Sequence, residues 1–270
     1  MELQRVVQVL RRFAPLELAE SWDNVGLLLE PSNSLIKKVF LTNDLTERVM
    51  EEAIAWKANM IISYHPPIFS AFKRLDQSNW RSRIVIKCLE NRIALYSPHT
   101  SWDCVKGGVN DWLGKAFSSR LPSRVDFISP FDKGEGISGG PGRVITLEQP
   151  IDFKQAINLV KSHLKLTAVR TSKPAVEKSI KTIGLCAGSG SAVLQQAHSA
   201  QPFDLLVTGG MGHHDALEAV HQGSYVILSE HSDTERGFLH DFKEKLRAEV
   251  PELEVTVSVI DEDPMKTDGP

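Results

Sequence analysis

The sequence predicts an α/β protein whose two halves are related by internal duplication. Three observations carry this. Apolar, strand-like runs alternate with amphipathic helical segments along all 270 residues, the pattern of sheets covered by helices. The order of these runs in the first half recurs in the second. The motif His-x-x-x-acid occurs twice, as HTSWD (His99 to Asp103) and HSDTE (His231 to Glu235), each behind an apolar run, IALYSP or YVILSE.

Taken in order, residues 3–13 place Val6, Val7, Leu10 and Phe13 on one helical face. VGLLLE (25–30) reads as a strand closed by Pro31 and Asn33. Just before it, in WDNVG (22–26), Trp22 is expected to pack while Asp23 and Asn24 cap or turn. IKKVFLTND (36–44) is a second strand, and 46–57 a helix. NMIISYHPP (59–67) is a strand that runs into a proline-stiffened loop. A longer loop at 70–80 precedes helix 81–91, strand 93–97, the HTSWD segment and a helix near 108–117.

The second half repeats this with a helix at 152–165 and a short strand at 167–172. IKTIGLCAGSG (180–190) matches IKKVFLTND in pattern, helix 191–199 matches 46–57, and FDLLVTGGMGHHD (203–215) matches NMIISYHPP. Helix 215–222, strand 225–229, HSDTE, helix 236–249 and strand 253–260 complete it. The Gly- and Pro-rich stretch 129–143 is the expected linker. The expected boundaries are a first lobe at 1–119, a linker at 120–149, a second lobe at 150–264 and a tail at 265–270. The polar end beyond Ile260 is expected to fray.

Composition bounds the function. The chain is 41% hydrophobic and 24% charged with a net charge of -3, an ordinary balance that offers no global basic surface for direct nucleic-acid binding. No apolar run is long enough to span a bilayer, and the N-terminal segment lacks a signal peptide's apolar core. The three cysteines, Cys88, Cys104 and Cys186, form no CxxC and no disulfide framework. Cys104, beside Asp103, is read as a small apolar residue, with a reactive thiol as the alternative. A reducing, cytoplasmic setting is expected, with nuclear entry left open.

In doubly wound sheets functional loops lie beyond the carboxyl ends of parallel strands. Four loops answer to that: 63–67, 98–103, 209–215 and 230–235. They hold five of the nine histidines, His65, His99, His213, His214 and His231. If strands 59–63 and 93–97 are parallel neighbours, His65 meets His99 or Asp103; the same logic joins His213 or His214 to His231 and Glu235. Imidazole plus carboxylate suits a divalent Zn, Mn, Fe, Co or Ni ion, which the donor types do not distinguish. With no thiolate ligand, an exchangeable or catalytic site is expected over a structural one. The turn CAGSGS (186–191) is read as a tight strand-to-helix turn, with anion binding by its N–H groups as the alternative.

SWDNVGLLLEP, FLTNDLT, SYHPPIF, YSPHTSWD, GVNDWL, LCAGSGS and EHSDTERGF together resemble one family across residues 5 to 264. It is the NIF-three-like (NGG-one-interacting-factor-three) family, also called the GTP cyclohydrolase I type-two homologues, and SYHPPIF and EHSDTERGF are most similar to its animal branch. The resemblance implies two related, intertwined α/β lobes, assembly as a dimer or hexamer, and a dinuclear metal site between the lobes. Its ligand pattern falls on Tyr64, His65, Asp103, His231 and Glu235. Tyr64 stands where the bacterial pattern has a histidine, and a phenol with pKa near ~10 is a poor metal ligand. Gly210 replaces an acidic residue of relatives, and the large middle domain of many animal relatives is reduced to the 120–149 segment.

Two functions follow as expectations. The first is a metal-dependent hydrolase, in which the ion lowers the pKa of a bound water towards ~7 and His99, His213 or His214 carries a proton or touches substrate. His99 and His214 are the residues selected for that role. The family name points to hydrolytic opening of a purine ring, but no residue demands GTP. The second is a non-enzymatic adaptor, a transcriptional corepressor or coregulator. The resemblance implies transcription-regulatory or signalosome-type protein partners for it.

Overall fold

The chain alternates helix and strand almost throughout. The structure is a computed structural model that describes residues 1–32 and 35–266; the expected turn at Asn33 and the last tail residues, 267–270, lie outside the described residues. In order, the elements are α1 (Leu3–Phe13), β1 (Gly26–Leu29), β2 (Lys38–Thr42), α2 (Glu47–Ala55), β3 (Met60–Ser63), α3 (Trp80–Glu90), β4 (Ala94–Ser97) and α4 (Thr100–Cys104). Then come α5 (Val109–Ser118), β5 (Ser123–Phe127), β6 (Phe131–Asp132), β7 (Ser138–Gly139), β8 (Arg143–Ile151), α6 (Phe153–Leu164), β9 (Arg170–Ser172) and β10 (Ile180–Cys186). The chain ends with α7 (Ser191–Ala200), β11 (Leu205–Thr208), α8 (His213–His221), β12 (Tyr225–Leu228), α9 (Phe238–Glu249) and β13 (Glu254–Val257). Polar side chains start several helices: Thr46 accepts from Val49 N, and Asp152 from Gln155 N at 2.7 Å.

Two units result. The first comprises Met1–Val105 and Leu239–Glu262, the second Lys106–Phe238 and the residues from Asp263 on. The chain therefore leaves the first unit, builds the second, returns to the first, and crosses to the second again after Glu262. The first sheet has the order β1-β4-β3-β2-β13, with β1 antiparallel and the rest parallel. The second has the order β5-β8-β10-β11-β12-β9, where β10, β11 and β12 are parallel and the flanking strands antiparallel.

The inner strands are apolar on both faces because helices cover both. In the first unit Phe40, Ile61 and Leu95 pack with Val49, Met50 and Ala53 of α2 and with Ile84, Val85 and Cys88 of α3. In the second, Leu206, Val226 and Leu228 pack with Leu194 of α7 and Ala219 of α8.

Three expectations differ from this architecture. The stretch 120–149 carries β5 and most of β8, which pair with each other and extend the second sheet. Its glycines serve the turns between these strands; buried Arg143 fastens one of them by donating to Gly140 O and Gly142 O. Strand β13, expected in the second lobe, pairs with β2 in the first sheet. The segment beyond Ile260 does not simply fray, since Asp261 and Asp263 are buried and hydrogen-bonded.

The duplication is visible atom by atom. Asn59 Oδ1 accepts from the N–H groups of Lys37 and Lys38, and Asp204 Oδ2 does the same for Lys181 and Thr182. Ala94 N donates to Asn59 O, and Tyr225 N to Asp204 O. This register pairs Asp44 with Gly188, His65 with Gly210, and His99 with Glu230. The two His-x-x-x-acid motifs are thus one residue out of step, and His99 and His231 are not equivalent positions. Backbone geometry agrees: His99 (φ 35°) and Glu230 (φ 60°) are the positive-φ residues of their corners. Equal spacing in the sequence suggested equivalence, but beyond the strand ends no sheet alternation enforces it.

Candidate metal centre

In the first unit β3 and β4 are parallel neighbours, so the loops that follow them meet. His65 Nδ1 lies 2.9 Å from Asp44 Oδ1, at the end of β2's loop. An ionised carboxylate only accepts, so Nδ1 carries the proton and Nε2 keeps its lone pair for a ligand. His99 Nδ1 lies 2.7 Å from Asp23 Oδ1, which fixes the same tautomer. Asp23 also accepts from Thr100 N and Thr100 Oγ1 at 3.1 and 2.5 Å. Burial pushes the Asp23 carboxyl up, but the bonds from His99 and Thr100 outweigh it and hold the group below its ordinary value. The His65 and His99 rings are 5.4 Å apart.

Tyr64 is buried, and its hydroxyl donates to Asp103 Oδ1 at 2.6 Å. The short helix α4 brings Asp103 round to this point. His99 caps α4 with an unusual backbone (φ 35°, ψ -119°). A non-glycine residue in that region is strained, and such strain concentrates where geometry is imposed by function.

In the second unit the HSDTE segment forms a single 3-10 turn over Ser232–Thr234 instead of opening a longer helix. It leaves His231 Nε2 and Glu235 Oε1 3.3 Å apart. Glu235 is 3% exposed, whereas the His231 side chain is 46% exposed. Two donors at ~2.0–2.2 Å from one ion sit about 3.0–3.4 Å from each other, so the pair suits a shared divalent cation. Gly188 makes room for it: a Cβ there would overlap Glu235 Oε1 and stand 3.0 Å from His231 Nε2, and the backbone has φ +61°. The donor chemistry, nitrogen and carboxylate oxygen on a carved backbone, fits a divalent metal.

Three N–H groups of the CAGSGS turn are already taken by side chains. Those of Ala187, Gly188 and Gly190 donate to Asn110 Oδ1, Thr234 Oγ1 and Thr208 Oγ1. Ser189 Oγ of this turn lies 3.3 Å from His231 Nδ1. His213 and His214 instead open α8 at the surface, and His214 lines a cavity of about 250 Å³ with Gln195, His198 and Gln222. Trp22, expected to pack, is 59% exposed and lies beside Phe69 and His99.

Sequence reasoning missed Asp44 and gave Asp23 a turn role. Each is a lone acidic residue in a loop, with no spacing signal to the histidine that it holds.

Strand-end loops rich in imidazole and carboxylate, on two sheets of shared topology, define a duplicated α/β protein with metal-type donor sets. The chain belongs to the family Duf34/NIF3 (NGG1p interacting factor 3), whose description matches residues 1–264. It is 43% identical to the NIF3-like protein 1 of Drosophila melanogaster, covering 98% of this chain and 89% of that one. It is 35% identical to the NGG1-interacting factor 3 of Saccharomyces cerevisiae, covering 98% and 96%. Among solved structures, a hypothetical protein of Staphylococcus aureus superposes with a TM-score of 0.85 at 27% identity, covering 99% of both chains.

Proposed function

We propose that this protein binds a divalent metal ion through His231 and Glu235 of the second unit, with His65 and Asp103 as metal-type donors of the first, and acts as a metal-dependent hydrolase. The observation that carries the reading is the His231–Glu235 pair, 3.3 Å apart over a glycine whose missing side chain leaves the space open. His231 and Glu235 offer the nitrogen and oxygen donors such an ion takes. Bound there, the ion supplies Lewis acidity to a substrate carbonyl or phosphoryl oxygen. The chain's own residues do the rest. Asp44 orients His65, Asp23 orients His99, and His99 Nε2 is left as the proton acceptor. His214 is given no step, because it opens onto the cavity beside α7.

The test is elemental analysis of natively purified, full-length protein, followed by assays with Mn, Zn, Fe or Co on nucleotides and phosphoesters. Stoichiometric metal, with turnover that His231→Ala abolishes, is the expected result. Metal-free protein with no metal-dependent turnover would overturn it.

A second reading, a protein-binding adaptor in transcriptional regulation, is favoured by one contact. The Tyr64 hydroxyl occupies an oxygen of Asp103, and the yeast relative is named for its interaction with NGG1. A stable metal-free protein that captures transcription regulators supports this reading; loss of capture in a metal-free variant argues against it. Among the described residues no helix is long and apolar enough to cross a membrane. We propose, from the family resemblance, a cytoplasmic homo-oligomer, a dimer or a hexamer, with nuclear entry as the alternative.

A further inference from the structure

Two aspartates near the C-terminus are buried, Asp261 at 9% and Asp263 at 6% exposure. Carboxylates at that depth need donors, and theirs come from the loops that carry the metal-type residues. Asp261 Oδ2 accepts from Asn43 N at 2.6 Å and Thr42 Oγ1 at 3.0 Å. It thereby fastens the turn that ends in Asp44, the residue against His65 Nδ1. Asp263 Oδ2 accepts from Ser232 N at 2.9 Å and Ser232 Oγ at 2.6 Å. Ser232 directly follows His231 and begins the turn that closes on Glu235.

We infer that Asp261 and Asp263 are positioning residues, each for the metal-type donors of its own unit. Asp261 fixes the orientation of His65 through Asp44, and Asp263 fixes His231 and Glu235 through Ser232. The functional value of this rests on the metal reading above, while the positioning itself can be read in the metal-free protein. The same segment contains its own control. Ser258 Oγ donates to Glu52 Oε2 at 2.5 Å and Val259 N to Glu52 Oε1 at 2.9 Å. That anchor is on α2; because Ser258 Oγ also accepts from Asp261 N at 3.1 Å, it is a control for the Asp263 arm.

The experiment compares full-length Asp261→Ala, Asp263→Ala, Asp263→Asn and Glu52→Ala by zinc titration and by imidazole NMR of the metal-free proteins. Asp263→Ala is expected to weaken zinc binding by about 10–100-fold, the usual cost of losing a residue that orients a ligand, and to shift the His231 resonances. Asp261→Ala is expected to do the same for His65. Asp263→Asn, which keeps an acceptor for Ser232 N, should recover most of the loss. Glu52→Ala should lower the melting temperature yet leave the His231 resonances unchanged. An equal shift of the His231 resonances in Glu52→Ala, or an unmoved His231 in Asp263→Ala, would overturn the assignment. If the unsubstituted protein takes up no zinc, the metal reading falls, and the imidazole shifts still decide this one. Should Asp263→Ala fail to fold, Asp263→Asn gives the same comparison with smaller shifts.

Discussion

At Gly188 a single hydrogen atom separates an open donor pair from a filled one. Gly188→Ala would put a methyl group into Glu235 Oε1 at a backbone angle that disfavours side chains. We expect metal content to fall to background, measured by elemental analysis. Tyr64 is the converse case. Its phenol holds Asp103 Oδ1 at 2.6 Å, and Tyr64→His would replace a poor ligand by a good one. The expected outcome is a higher metal-to-protein ratio than in the unsubstituted chain; an unchanged ratio would show that Tyr64 does not limit uptake. Asp23 gives a pH prediction. Its folded value is depressed below 3.8, so its contribution to stability is present above that value and lost as pH falls through the depressed one. The destabilisation by Asp23→Asn, followed by denaturant melts, should be largest at neutral pH and shrink below 3.8. These residues also mark where the sequence was legible. His65, His231 and Glu235 stand out through spacing and residue type. Asp23, Asp44 and Gly188 act through distant backbone, and a one-dimensional pattern carries no trace of that.

Among the elements, the buried parallel strands were the easiest to read, because covering both faces makes them continuous apolar runs such as MIIS and YVIL. The antiparallel strands β5 and β8 were not. β5 alternates in burial, as an edge strand does, and its glycine-rich connection to β8 looked like a linker. The one-residue offset between the two His-x-x-x-acid segments was hidden as well, since only hydrogen-bond register reveals it. Helix α9 offers a test of packing. Phe242 is 1% exposed and lies 4.3 Å from the Trp102 ring and 5.4 Å from Phe13. Phe242→Ala should cost about 3–5 kcal/mol, read as a lowered denaturation midpoint. Because Trp102 is adjacent to Asp103, we also expect weaker metal retention in that variant.

On the scale of the whole molecule, a ligand that binds only the folded state raises stability by mass action. If the donor set holds an ion in the purified protein, exhaustive chelation should lower the melting temperature, and adding back the ion should restore it. No change on chelation would argue for the adaptor reading. The interrupted path of the chain has a different consequence, which concerns the order of synthesis. β2 finds its outer neighbour β13 only at the far end of the polypeptide, with the second unit encoded between them. A ribosome delivers β1 to β4 first, then every strand of the second sheet, and β13 last. The nascent first sheet therefore waits with an open, hydrogen-bond-hungry flank along β2, a liability for pairing with the wrong chain. The sheet that begins first is the one that finishes last.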